Sequence, residues 1–269
     1  MTATVSADTP RRPREAPWRR TSVTAGVFYL ATFVSIPVLG LYGPVHEPGY
    51  VTGPGPDTAV VVGGLLELVV AVACIGTAVA LFPVVKQQNE GLALGFVASR
   101  TVEATVIVIG VVALFAVVGL RRDLAGGPAA IPTARALVAV YDQTFLLGQG
   151  LAPVANALLL GTLLYRSRLV PRAIPLLGLV GAPILLASKV ATIVGLDGPL
   201  SAWSALATVP IAAWELSLGL WLVVRGVTPP RPGQHLTRGV RGRARRRPRG
   251  RSCPRGPRGG GGPTPPPPR

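Results

Sequence analysis

Apolar residues run in long blocks along this chain, and polar residues gather between them. Six blocks stand out: Val23–Tyr42, Thr58–Val85, Leu92–Leu120, Leu137–Tyr165, Ile174–Leu196 and Ala202–Val224. Each reaches the length of about 20 residues that an α-helix needs to cross roughly 30 Å of hydrocarbon. Helix breakers sit between them: Gly43-Pro44 through Pro54-Gly55-Pro56-Asp57, Gly126-Gly127-Pro128 with Pro132, and Asp197-Gly198-Pro199. Lipid leaves no partner for free backbone groups, so these turns belong at the membrane surfaces. The pattern predicts an all-α polytopic transmembrane helical bundle of about six spans. It divides the chain into a disordered basic N-terminal segment (1–21), the transmembrane domain (22–226) and a disordered Arg/Gly/Pro-rich cytoplasmic tail (227–269).

Charge sharpens this picture. Only 14% of residues are charged and 49% are hydrophobic, against about 25% charged in a soluble domain. From Arg225 onward there are thirteen Arg and no acid, so the tail carries +13 of the net +16. Cytoplasmic loops are enriched in Lys and Arg. An N-terminus placed inside puts five Arg before the first span, Lys86 in the second loop, and Arg166, Arg168 and Arg172 in the fourth loop on that side. Arg121, Arg122 and Arg135 in the third loop dissent, but the balance places both termini in the cytoplasm. The basic stretch Arg11–Arg20 ahead of an apolar block resembles a signal peptide, yet the block is too long for an h-region and no small-x-small site follows it before Pro44. It reads as a retained first helix. The tail has no apolar face to bury. It reads as a tail without specific function, a tether to anionic lipid head groups or, less favoured, a nucleic-acid contact.

The most informative residues are ionisable groups inside the spans: Glu67, Arg100, Glu103, Asp142, Lys189 and Glu215, with Asn156 and Gln149 as neutral companions. A charge at mid-membrane costs roughly 2.5–3.5 kcal/mol. Asp142 is expected to be shallow, so the other five imply on the order of 12–17 kcal/mol before pairing. At 1.5 Å per residue, Glu103 and Glu215 both lie about 17–18 Å from their helix starts, near the midplane. Arg100 and Glu103 are three apart and share a helix face. Three acids with Arg100 and Lys189 as candidate counter-ions leave one acid over. The set Glu67, Arg100, Glu103, Asp142, Asn156, Lys189 and Glu215 therefore forms a candidate intramembrane polar cluster.

Several chemistries are excluded. The two histidines, His46 and His235, lie outside the spans, which removes paired-His haem and His-ligated intramembrane zinc. There is no HExxH, GxSxG or P-loop. Gly148-Gln149-Gly150 sits inside a helix with no strand before it and is no dinucleotide motif. Cys74 and Cys253 form no metal spacing, and a disulfide between them is not expected. No catalytic residue, cofactor or metal is assigned.

The strings Leu65-Leu66-Glu67-Leu68, Ile75-Gly76-Thr77-Ala78-Val79-Ala80-Leu81-Phe82-Pro83-Val84 and Asn89-Glu90-Gly91-Leu92-Ala93-Leu94-Gly95 are distinctive. So are Asp142 with Thr144-Phe145-Leu146-Leu147-Gly148, Asn156-Ala157-Leu158-Leu159-Leu160-Gly161, Leu164 to Arg172 and Trp214-Glu215-Leu216-Ser217-Leu218-Gly219. From about Ser22 to Gly226 the chain resembles a bacterial membrane family described as domain of unknown function 4386. The resemblance implies a six-helix protein of the bacterial inner (plasma) membrane, with Glu67, Arg100, Glu103, Asp142, Asn156 and Glu215 at motif positions. It implies no activity, substrate or cofactor, and Lys189 and the Arg-rich tail depart from its pattern. Three roles stay open: a multi-pass membrane protein whose polar cluster is an interhelical lock, a small proton- or cation-coupled transporter, and a carboxylate-based intramembrane enzyme.

Overall fold

The computed structural model describes residues 16–227 apart from 48, 54–55, 124–127 and 199–200. The expected disorder of the N-terminal segment and of the tail falls largely on 1–15 and 228–269, outside the described residues. Those described are helical, with no strand among them. We number the helices α1 (Ala16–Ala31), α2 (Thr58–Val85), α3 (Glu90–Asp123), α4 (Ile131–Ser167), α5 (Ala173–Ile193) and α6 (Ala202–Val224). Five of them, α2 to α6, are long and apolar enough to cross a membrane.

The first predicted span differs. It begins at Ala16 rather than Val23, and it is broken where one helix was expected to run on to Tyr42. The early start follows from side chains that tie the first turns of α1 to the end of α6. Arg19 donates to the Val224 carbonyl at 2.9 Å, and Ser22 Oγ accepts from the Val227 N–H at 3.1 Å. The break follows from Pro37, which has no N–H to continue an α-helical ladder. The chain tightens into a 3₁₀ turn over Thr32–Ser35 and then makes two single helical turns, Val38–Leu41 and Gly43–His46. These turns carry Tyr42 and His46 over one end of the bundle.

Each helix packs on its neighbours in sequence, and α1 closes against α6, giving a ring in chain order. Small residues permit the close approaches. The Tyr42 ring lies against Gly63 of α2, where an added Cβ would stand 2.5 Å from Tyr42 Cε1. The ring interior holds the main apolar core, centred on Tyr29, Phe96, Leu160, Leu185, Trp214 and Leu218. The outside carries exposed aliphatic side chains such as Leu65, Val72, Val79, Val102, Val112 and Leu206. A surface this apolar suits contact with lipid rather than water.

Candidate functional site

The residues expected to form one polar cluster fall into separate groups. The first lies on the ring axis and is centred on Arg100 of α3, which is 1% exposed. Its Nη1 donates to Glu103 Oε2 at 3.0 Å and its Nη2 to Glu215 Oε1 of α6 at 3.2 Å. Asn156 Nδ2 of α4 donates to the same Glu103 oxygen at 2.7 Å. Cys74 Sγ of α2 lies 3.5 Å from Arg100 Nη1, and the guanidinium sits 5.0 Å from the centroid of the Tyr29 ring of α1. Side chains from five of the six helices thus meet at one cation. Guanidinium suits this position because its fork serves two carboxylates at once. The midplane depth read for Glu103 and Glu215 agrees with their sharing one partner.

The second group is centred on Glu67 of α2, which is 1% exposed. Among the described residues it has no Lys or Arg partner. Tyr42 Oη donates to its Oε2 at 3.0 Å, while Tyr141 Oη at 3.1 Å and Gln149 Nε2 at 2.6 Å donate to its Oε1. Gln149 Nε2 can only donate, while each phenol hydroxyl can donate or accept, so the three partners can serve the carboxyl in either protonation state. Gln149 reaches Glu67 from a π-helical stretch, Leu146–Leu151, that interrupts α4. Such wide turns recur at functional sites. Gly150 in that stretch leaves room for Lys189, since a Cβ there would be 3.3 Å from Lys189 Cδ. The glycine pair of Gly148-Gln149-Gly150 thus belongs to a wide helical turn.

Lys189 is no counter-ion to any of these acids. Its Nζ donates to Ser204 Oγ at 2.8 Å. The side chain of Asp142 is 49% exposed, and its Oδ1 is 2.9 Å from His46 Nε2. The other ring nitrogen of His46 lies 2.9 Å from the Tyr42 carbonyl. Both ring nitrogens face acceptors, so both bonds are made when the imidazole is protonated. Burial, the largest influence on His46, favours the neutral ring, but the bonds to Asp142 and to the Tyr42 carbonyl outweigh it and raise its pKa above the ordinary 6.5.

A cavity of about 650 Å³ lies against these residues, lined by Tyr42, His46, Tyr141, Asp142, Phe145 and Asp197 among others. Ile193 and Gln143, also on its wall, are exposed, so it opens at the surface. Tyr42 and Tyr141 meet edge to face, 5.0 Å between ring centroids. Both residues lie on the cavity wall, largely buried, and their hydroxyls reach Glu67. At the same end of the bundle Asp57 binds Arg121 at 2.7 Å and Arg122 at 3.0 Å. Burial acts to raise the Asp57 pKa, but Arg122, Tyr50 and Arg121 together hold it below the ordinary carboxylate value. Two of the three dissenting arginines are thereby paired.

Sequence reasoning missed Tyr42, Tyr141, His46 and Cys74 as members of these groups. Tyr141 adjoins Asp142 and could have been suspected. The others carry no local mark. Among the described residues, no three His, Cys, Asp or Glu side chains come together so as to hold a metal ion.

No curated protein and no solved structure matches the chain. A family model described as Domain of unknown function (DUF4386) matches residues 24–226, which spans α1 from its third turn through to the end of α6 and includes both polar groups. The chain belongs to this DUF4386 family.

Proposed function

We propose that this chain is a multi-pass protein of the bacterial plasma membrane, with both termini cytoplasmic, that acts as a small proton- or cation-coupled carrier with Glu67 as its ion-binding group. One observation carries this reading: Glu67 is a buried carboxyl without a cationic partner among the described residues, and two of its three hydrogen-bond partners line a cavity that opens at the surface. Ionisable groups at membrane depth are costly, and they mark ion pathways and proton relays where they face a water-filled path. The Arg100 group has the opposite character. It is closed, and one guanidinium serving two carboxylates ties five helices together, which suits an interhelical lock.

The bilayer setting rests on the exposed aliphatic belt and on the five long apolar helices. The orientation rests on charge. Arg19, Arg20, Lys86, Arg166, Arg168, Arg172 and Arg225 lie at the end opposite the cavity, and Asp57 pairs Arg121 and Arg122 at the cavity end. The cavity then faces outward. An enzyme working through two carboxylates in a cleft finds less support, because Glu103 and Glu215 are engaged by Arg100.

The test needs no knowledge of the cargo. Proteoliposomes on a solid-supported membrane are given a rapid pH step, and the transient charge displacement is recorded. Proton binding at Glu67 from the cavity gives a transient that disappears in Glu67→Gln. A transient of equal size in wild type and Glu67→Gln, or none in either, would refute the reading.

A further inference from the structure

The cavity above Glu67 has a chemical signature of its own. Its lining includes Tyr42, Tyr141 and Phe145, the acids Asp142 and Asp197 and, among the described residues, no Lys or Arg. Even with His46 protonated the formal charge of the lining is −1 (two carboxylates against one imidazolium), and Glu67 lies directly behind the tyrosines. His46 engages Oδ1 of Asp142, and among the described residues Oδ2 has no hydrogen-bond partner. His46 is the one group on the described wall that can carry positive charge; Lys189 lies within electrostatic reach of Asp197, and Arg135 lines a neighbouring cavity that shares His46 and Asp142. A neutral ligand can hydrogen-bond to the carboxylates but gains nothing from their charge. A metal ion is poorly served, because no three ligating side chains converge among the described residues. About 650 Å³ falls within the size range of small-molecule pockets.

The tyrosines are also electronically prepared. Both phenols donate to the Glu67 carboxylate, at 3.0 and 3.1 Å. A phenol that hydrogen-bonds to an anion shifts electron density into its ring. The negative face of the ring, which attracts cations, is thereby strengthened. The Glu67 charge is felt through the rings in a poorly screened interior.

We infer that this cavity binds a small organic ammonium ion, held between the Tyr42, Tyr141 and Phe145 rings and the Asp142 carboxylate, with Glu67 polarising the two phenols from behind. The inference rests on the carrier reading only for the accessibility of the cavity. It adds the class of cargo: amines and quaternary ammonium compounds that a ring face and a carboxylate recognise together.

The experiment uses the full chain in lipid nanodiscs and two probes of the same shape. Choline carries a quaternary ammonium, and 3,3-dimethylbutan-1-ol has carbon in place of nitrogen and no charge. Binding of both is titrated by saturation-transfer NMR. Choline is expected to bind more tightly than the alcohol by about tenfold or more, the scale of a desolvated cation–π contact. That preference is expected to shrink in Asp142→Asn and Tyr141→Leu. Tyr42→Phe, which keeps the ring and removes the hydroxyl, is expected to lose part of it. Equal binding of the two probes, or no binding of choline, overturns the ammonium assignment. So does a choline preference that survives both Asp142→Asn and Tyr141→Leu. The wild-type comparison needs no variant to fold. The charge transient of Glu67, measured separately, tells the two failures apart: a transient without choline selectivity leaves a carrier with a different cargo.

Discussion

Replacing Arg100 with Met removes the cation and leaves a side chain of similar length in the same slot. Glu103 and Glu215 would then face each other in a site where Arg100 is 1% exposed and the two acids have side-chain exposures of 6% and 15%. Removing one partner of a buried ion pair costs about 3–5 kcal/mol, because the remaining charge is left uncompensated. Two features moderate this. Asn156 continues to serve Glu103, and the Arg100 Nε already lacks a protein partner, so that donor's bond is not there to lose. The loss of contact with Tyr29 and Phe96 is small, since Met packs well against aromatic rings. The expected destabilisation is therefore about 3 kcal/mol, the lower end of the range. Glu215→Gln should cost much less, about 1 kcal/mol or under, because Arg100 and Glu103 remain a neutral pair. Glu103→Gln falls between, since it weakens the Arg100 and Asn156 contacts together. The triple variant Arg100→Met, Glu103→Gln, Glu215→Gln should recover most of the loss, as a neutral group needs no compensation. The assay is reversible unfolding in mixed micelles, with free energies compared at one detergent composition. An Arg100→Met variant that loses under about 1 kcal/mol, or a triple variant as unstable as the single, would refute the lock.

Other expectations follow from the second group. Glu67→Gln should keep the fold within about 1 kcal/mol, because the amide can still take part in bonds with Tyr42, Tyr141 and Gln149, whereas Glu67→Leu strands three donors and should cost about 3 kcal/mol or more in the same unfolding assay. Gly63→Ala forces a methyl to within 2.5 Å of the Tyr42 ring. It should lower stability by about 1–3 kcal/mol and move the Tyr42 hydroxyl, which a shift of the Tyr42 ring signal in NMR would report. The His46–Asp142 pair should give a small pH dependence. Its folded-state pKa lies above 6.5, so its stabilisation is complete below that value and fades as pH rises through the folded pKa. With side chains 44% and 49% exposed, screening leaves about a few tenths of a kcal/mol. The thermal midpoint should fall slightly between about pH 6 and pH 8 in wild type and not in His46→Asn.

Much of the fold was legible because the spans are marked by length and apolarity alone. Apolar blocks found α2 to α6 nearly as they are. The first span was read too simply: Pro37 stood in the block, but membrane helices tolerate proline often enough that its effect could not be settled locally. The pairing was legible only in part. Arg100 with Glu103 follows from a separation of three on one helix, and Glu215 joined them because depth along a helix can be counted. Lys189 was credited with a partner it does not have, because depth does not say which way a side chain points, and Ser204 lies closer to hand. The charge count showed that one acid would be left over, but not that it is Glu67, and the partners of Glu67 could not be read at all. Tyr42 and Tyr141 are 25 and 74 residues away, and a tyrosine in an apolar block looks like any other aromatic until a fold brings its hydroxyl to a carboxyl. The unequal loop charges of the cavity end likewise made sense only when Asp57 was found holding Arg121 and Arg122.

The central claim is that Glu67 is an ionisable group reached from the cavity and not a sealed structural acid. Infrared difference spectroscopy on the full chain in lipid, with the buffer exchanged from neutral to acidic, tests it most directly. The account predicts a protonated-carboxyl carbonyl band that grows on acidification, is absent in Glu67→Gln, persists in Glu103→Gln and Glu215→Gln, and shifts when Tyr42→Phe removes one donor. A Glu67 band that does not respond to external pH, or a spectrum unchanged by Glu67→Gln, would contradict it.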